Sequence, residues 1–253
     1  MTAIPSNWYT EFFNEDYPKI YSGRLSQDAT ERETSFVVDS LGLQEGAFVL
    51  DLACGHGRHA VALAQRGMVV TGQDLNEDYL RMARKDAARA GVSVETVHGD
   101  MRDIPFTNQF DAVINMFTAF GYFDSEDEDV RVLQAVGNAL KGDGKLLLDT
   151  INREWVLSNY VQNDWHTDGD GNTFLERREF DLVTGRNRVT FSIVTADGTR
   201  RESPGHNVRL YTLTELVRLL GAAGLRLSAT YGDYDGSPYD ISTPRMIAVA
   251  TKD

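Results

Sequence analysis

A chain of 253 residues, 42% hydrophobic and 25% charged, has the composition of a soluble globular protein: one α/β domain with an elaboration, or two small domains. Its net charge of −13 argues against a nucleic-acid partner, since phosphate binding needs basic patches, and no apolar run approaches the roughly 20 residues of a membrane helix. A single cysteine, Cys54, excludes an intrachain disulfide and a thiolate zinc cluster; the opening stretch has neither a basic n-region nor an apolar h-region, so a cytoplasmic protein is expected.

Residues 1–45 are rich in Trp and Tyr, then turn helical, and are expected to form an N-terminal cap. From Ala47 to Asn152 strands and helices alternate. "AFVLDLA" predicts a strand, "RHAVALAQR" a helix closed by Gly67, and "MVVTGQD" a second strand. Asn76 predicts an N-cap, with Glu77 and Asp78 in the first turn and Leu80, Ala83, Ala87 and Ala90 on the inner face. "VSVETVHG" and "FDAVINMF" predict strands three and four. "SEDEDVRVLQAVGNALKGDG" predicts a helix opened by a Ser125/Glu128 capping box, and "KLLLDTI" a fifth strand. The acidic run at that helix start is better explained by the helix dipole than by a metal. Such alternation builds a parallel sheet with helices on both faces.

Residues 153–208 break the alternation. "TFLERREFDL" and "RNRVTFSIVTADGTRR" predict antiparallel strands joined by tight turns, an insertion laid over the ligand edge of the sheet as a substrate lid. Residues 209–253 return to the core, with a helix capped by Thr212 and Glu215 and the strands "LRLSATYG" and "RMIAVAT". The segment 46–152 is thus the ligand-binding core, and 209–253 completes its sheet.

Gly55-His-Gly57-Arg-His-Ala60 follows a strand and opens a helix, and Asp74 lies 19 residues after Gly55. This matches the dinucleotide fingerprint, so an NAD(P)-dependent oxidoreductase is one reading. Asp51 opposes it. A carboxylate at the mouth of the loop repels a pyrophosphate but suits a ligand carrying an ammonium or a sulfonium. S-adenosylmethionine carries both and has no phosphate.

"VLDLACGHG", "VVTGQDLN", "VHGDMRDIPF", "FDAVINMFTAFGYF" and "LKGDGKLLLDT" follow in that order. As a set they resemble the class I, seven-stranded S-adenosylmethionine-dependent methyltransferases of the small-molecule type, over residues 36 to 252. The resemblance implies a Rossmann-like three-layer α/β sandwich, its mostly parallel seven-stranded sheet ending in a C-terminal antiparallel strand. It implies S-adenosylmethionine as cofactor and S-adenosylhomocysteine as product. Asp51, Ala53, Gly55 and Gly57 would surround the methionine moiety. Ala53 stands where the family often has Gly and is expected to need no strained φ. Asp74 would accept from both ribose hydroxyls, Leu75 would pack on the adenine side, Asp100 would accept from the adenine amino group, and Met101 would cover the ring. Asn115, Met116 and Phe117 would line the floor near the sulfonium, and Tyr21 is counted among the cofactor contacts.

The acceptor is expected between the N-terminal cap and the insertion, against aromatics that include Tyr17, Tyr122 and Trp155. In "GHNVRLYT", strand alternation sets Arg209 and Tyr211 on the face opposite His206. Arg209 is a candidate grip for an acceptor carboxylate, and His206 and Tyr211 are the candidate catalytic residues. His56 and His59 are expected to be structural, and no metal is expected. In-line methyl transfer asks mainly for alignment and exclusion of water, so a neutral amine acceptor needs no dedicated base. N-methylation of a small soluble acceptor, by a monomer or homodimer, is the expectation; a non-catalytic S-adenosylmethionine-binding module and macromolecular methylation are the other readings.

Overall fold

In the computed structural model, which describes residues 4–252, the N-terminal segment folds as two single-turn helices, α1 (Tyr9–Phe12) and α2 (Tyr17–Ile20), a 3-10 turn, and the longer α3 (Gln27–Leu41). Ser26 caps α3 by accepting from the Ala29 N–H, and Gly42 closes it in the left-handed conformation. The alternating region then runs β1 (Phe48–Leu52), α4 (Arg58–Gln65), β2 (Val69–Asp74), α5 (Glu77–Arg89), β3 (Val94–His98), β4 (Phe110–Asn115), α6 (Glu126–Ala139) and β5 (Leu140–Ile151). A short helix, α7 (Arg153–Ser158), leads into β6 (Asn163–Thr167), β7 (Thr173–Asp181), β8 (Arg186–Val194) and β9 (Arg200–Arg209). The chain closes with α8 (Leu213–Ala222), β10 (Leu225–Tyr231) and β11 (Arg245–Lys252).

The seven-stranded sheet has the order β10-β11-β5-β4-β1-β2-β3. Neighbours from β5 through β3 pair in parallel, and β11 runs antiparallel to both β5 and β10. Successive strands step outward in opposite directions from the β1–β4 pair, so a crevice opens beyond the carboxyl ends of those two strands. Both faces of the sheet are buried. Leu50, Leu52 and Val113 pack with α6 and α8 on one face; Val49, Ala112 and Ile114 pack with α3 and α4 on the other. Each fully buried Leu or Ile contributes about 2 kcal/mol to this core.

The second sheet is an antiparallel meander, β6-β7-β8-β9. Its inner face carries Phe174, Phe191, Ile193 and Val189, which pack against Trp8, Phe12 and Ile20 of the N-terminal segment in a core of their own. Asp16, 3% exposed, ties the two together: its carboxylate accepts from both terminal nitrogens of Arg201 and from the Ser203 hydroxyl at 3.1 Å.

Both capping boxes and the Asn76 cap form as the sequence predicts. Three boundaries differ. The helix expected to run to Gly144 ends at Ala139, and "LKGDG" begins β5 instead, because two glycines and a left-handed Asp143 cannot continue a helix. The edge strand β6 and helix α7 carry too little apolar periodicity to be anticipated. Strand β9 continues through residue 208 to Arg209, one residue past the expected end of the insertion. Residues 1–3 of the expected cap and residue 253 lie outside the described residues.

The Asp16 tie gives a direct test. Asp16→Asn should lower the unfolding free energy by about 2 kcal/mol and speed limited proteolysis within the N-terminal segment. Unchanged stability and an unchanged cleavage pattern would show that apolar packing alone docks the segment.

Candidate functional site

Strand β1 delivers Asp51 to the sheet edge on the same face as Val49, above the start of α4. Its carboxylate is 1% exposed, and Oδ2 has no hydrogen-bond partner. Arg58 and His59 lie nearby, each paired with Glu33, while the buried Nη2 of Arg58 has no partner. Glu33 of α3 accepts from Arg58 at 2.5 Å and from His59 Nε2 at 2.7 Å. Burial therefore dominates and pushes the Asp51 carboxyl up to about 6, against the weaker pull of His59 and Arg58.

The loop after β1 turns through left-handed residues, Ala53 (φ 57°), Gly55 (φ 54°) and Gly57 (φ 80°). Only Gly fits at 57, where a Cβ would stand 2.5 Å from the Cβ of Ala83. Ala53 departs from expectation: it does adopt a strained φ, at a cost of about 1 kcal/mol. The cause is the turn that swings Cys54 N–H onto the Gln73 carbonyl (3.1 Å) and lets the loop skirt the cavity. Asp74, at the end of β2, accepts from Gly55 N–H at 2.7 Å through Oδ2 and from Asn76 N–H at 2.8 Å through Oδ1. Each oxygen keeps a lone pair for a ligand, and burial raises the carboxyl. Asn76 caps α5 and donates to the Phe13 carbonyl at 3.0 Å, drawing the N-terminal segment over the loop.

These elements enclose a cavity of about 500 Å³ lined by Asp51, Ala53, Gly55, Asp74, Leu75, Asp100, Met101, Met116 and Phe117. Gly57 is buried behind the loop. Arg102 holds the Asp100 carboxylate from one side (Nη2 to Oδ2 2.6 Å) and keeps it below the usual carboxylate range, although burial works the other way.

A second cavity, about 520 Å³, lies between the N-terminal aromatics and the inner face of the β6–β9 sheet. Phe13, Tyr17, Phe117 and Tyr122 line both cavities. Trp155 and His206 line the second. His206 Nε2 lies 3.5 Å from the Tyr21 hydroxyl, and its buried Nδ1 has no partner. Burial among Trp8, Phe12 and Phe191 pushes His206 down to about 4, so the ring is neutral at pH 7.

Besides Gly57, four expected residues lie elsewhere. Tyr21 lines the second cavity, not the first, because α2 carries it past the shared aromatic wall. Asn115 lies behind the wall, 2% exposed, and its Nδ2 staples the end of β4 to the Leu52 carbonyl at 3.0 Å. Arg209 and Tyr211 line neither cavity. Strand alternation puts His206 and Val208 inward and turns Arg209 and Tyr211 away. Arg209 pairs with Glu215 at 2.7 Å, and the Tyr211 hydroxyl donates to buried Asp129 at 2.6 Å.

Sequence reasoning missed Asn187, Glu176, Arg178 and Arg245, all of which line the second cavity. Asn187 had a readable signal. It occupies the apolar phase of "RNRVTFSIV", level with Val189, Phe191 and Ile193, and its Oδ1 is buried without a partner. Among the described residues, no group of three or more His, Cys, Asp or Glu side chains is placed to hold a metal ion, and no helix is long and apolar enough to cross a membrane.

Residues 49–144 match the family model described as "Methyltransferase domain". A glycine/sarcosine N-methyltransferase of Aphanothece halophytica is 27% identical over 98% of this chain and 91% of its own length. A dTDP-3-amino-3,4,6-trideoxy-alpha-D-glucopyranose N,N-dimethyltransferase of Streptomyces venezuelae is 27% identical over 90% of this chain and 96% of its own. Among solved structures, an S-adenosylmethionine-dependent methyltransferase from Clostridium acetobutylicum has a TM-score of 0.79 at 20% identity, covering 94% of this chain and 98% of that one.

The loop conformation makes two opposed predictions. Ala53→Gly should raise the unfolding free energy by about 0.5–1 kcal/mol, and Gly57→Ala should lower it by about 2 kcal/mol or more. Urea midpoints measure both; a Gly57→Ala protein as stable as wild type would show that α5 yields at Ala83.

Proposed function

We propose that this chain, a class I S-adenosylmethionine-dependent methyltransferase, methylates a nitrogen of a small-molecule acceptor held in the second cavity. The observation that carries this reading is the shared aromatic wall: one cavity ends in a carboxylate with an unpartnered oxygen, the other holds the buried His206 and Asn187 beside the paired charges of Glu176 and Arg178, and Phe13, Tyr17, Phe117 and Tyr122 border both.

Bound S-adenosylmethionine supplies a methyl group already activated by a cationic sulfur. The protein holds and orients. Asp51 meets the ammonium of the methionine tail through its unpartnered oxygen. Asp74 uses its free lone pairs on the ribose hydroxyls, Leu75 and Met101 cover the adenine, and Asp100 accepts from its amino group through the capacity Arg102 leaves open. Met116 and Phe117 face the reacting end. The aromatic wall excludes water from the line between donor and acceptor.

The preference for nitrogen rests on the two buried groups that meet across this cavity, His206 and Tyr21; Glu176, which also lines it, is paired with Arg178. An alcohol needs a base that is effective at neutral pH. His206, at about 4, is too weak, and burial raises the Tyr21 phenol away from ionisation. An amine that binds neutral has its own lone pair. His206 and Tyr21 then orient the acceptor by hydrogen bonding, and Tyr17, Tyr122 and Trp155 pack around it. The two relatives named above are, by their descriptions, both N-methyltransferases.

Incubation with S-adenosylmethionine and a matched panel of small amines and alcohols, read as S-adenosylhomocysteine by mass spectrometry, tests the assignment. Turnover is expected with amines and should rise with pH as the free base is populated. Turnover confined to hydroxyl acceptors would overturn the nitrogen assignment. Asp74→Ala should weaken S-adenosylmethionine binding by about 10- to 100-fold, the loss of one or two charge-assisted hydrogen bonds.

A further inference from the structure

Phe117 and Thr118 carry the chain out of β4 with φ of 60° and 63°. Two consecutive non-glycine residues in the left-handed region, one of them β-branched, are rare, and they persist only where their surroundings over-determine them. Here the surroundings converge on one carboxylate. Asp149, near the end of β5, is fully buried. Its Oδ2 accepts from Phe117 N–H at 2.7 Å and from the Tyr234 hydroxyl at 2.5 Å. Its Oδ1 accepts from Arg245 Nε at 2.7 Å and pairs with Nη2 at 2.6 Å. The Asp149 carbonyl takes Thr118 N–H at 2.9 Å, and Thr118 Oγ1 accepts in turn from Ile151 N–H at 2.9 Å and Arg245 Nη2 at 3.2 Å.

Asp149 borders neither cavity. Phe117 borders both, and Thr118 and Arg245 border the acceptor cavity. The Phe117 ring also stands 5.3 Å from the Arg58 guanidinium and 6.3 Å from the Tyr21 ring, so its orientation is felt on both sides. We propose that Asp149, with Arg245 and Tyr234, is a positioning device for methyl transfer: it locks the left-handed Phe117–Thr118 turn and so sets the wall between donor and acceptor. The network spans β4, β5, β11 and the loop before β11, and its two charges neutralise each other. No charge is left over for a ligand, which separates this carboxylate from Asp51. The inference rests on the reading of the two cavities given above.

Asp149→Asn leaves the buried Arg245 charge without its partner and risks the fold, so milder variants carry the test. Tyr234→Phe removes one hydrogen bond, and Arg245→Lys keeps the charge but loses the planar fork. Calorimetric titration with S-adenosylmethionine, well below each variant's thermal midpoint, reads the donor wall without needing the acceptor. Both variants should bind about tenfold more weakly. Adding Thr118→Asn, which tolerates the left-handed backbone and keeps a side-chain acceptor, should recover most of that loss. Variants that melt earlier but bind within about twofold of wild type would make Asp149 a purely structural ion pair. A loss that Thr118→Asn leaves unchanged would equally overturn the role of the turn. Wild-type protein that bound no S-adenosylmethionine would instead overturn the donor-site reading, and this inference with it.

Discussion

The structure turns on a buried carboxylate that keeps one oxygen unpartnered. Asp51 sits at the end of a central strand, 1% exposed. Its neighbours Arg58 and His59 are paired with Glu33, which α3 brings in from the far side. Holding Asp51 ionised at neutral pH, with its carboxyl raised to about 6, costs the protein roughly 3 kcal/mol. As the group's pKa is higher folded than unfolded, that cost is absent in acid and appears as pH rises through about 4 to 6. A ligand cation placed against it removes the penalty. On the proposed function, that deficit is what the donor's cation meets.

The rest of the architecture surrounds that deficit. The switch between β1 and β4 opens the crevice, the left-handed loop frames it, and Asp74 joins loop to strand. The N-terminal segment closes it. Asn76 holds that segment at Phe13 and Arg201 holds it at Asp16, one anchor on the core and one on the inserted sheet. The aromatics between these anchors belong to both cavities at once. The proposed donor and acceptor sites therefore share the same few side chains.

The core was legible because its local signals agree with one another. Both capping boxes, the Asn76 cap and the glycines that follow α3, α4, α5 and α8 punctuate apolar runs of the right length, so local chemistry and global topology point the same way. The donor site was legible for the same reason: carboxylates at strand ends fall where an open α/β sheet puts its ligand. The acceptor site was harder to read. Its wall comes from segments some 185 residues apart, such as Tyr21 and His206, and no local pattern reports such pairings. Strand alternation did separate His206 from Arg209 and Tyr211, but not which face meets the cavity. Ala53 was misjudged because composition does not reveal φ. Asn187 was readable in principle as a polar residue in an apolar phase. Nothing in "KLLLDTI" singles out Asp149; the convergence of Phe117, Tyr234 and Arg245 on it is visible only in the fold.

The central claim, that Asp51 waits for a cation, has a proton signature. Calorimetry of S-adenosylmethionine binding in buffers of different ionisation enthalpy counts the protons exchanged. With the Asp51 carboxyl at about 6, binding at pH 6 should release about half a proton, and the release should fall as pH rises towards 7. Asp51→Asn should reduce the release, leaving what the likewise raised Asp74 contributes, and weaken binding. Tight binding at pH 6 with no proton exchanged, or equal release from Asp51→Asn, would contradict the account.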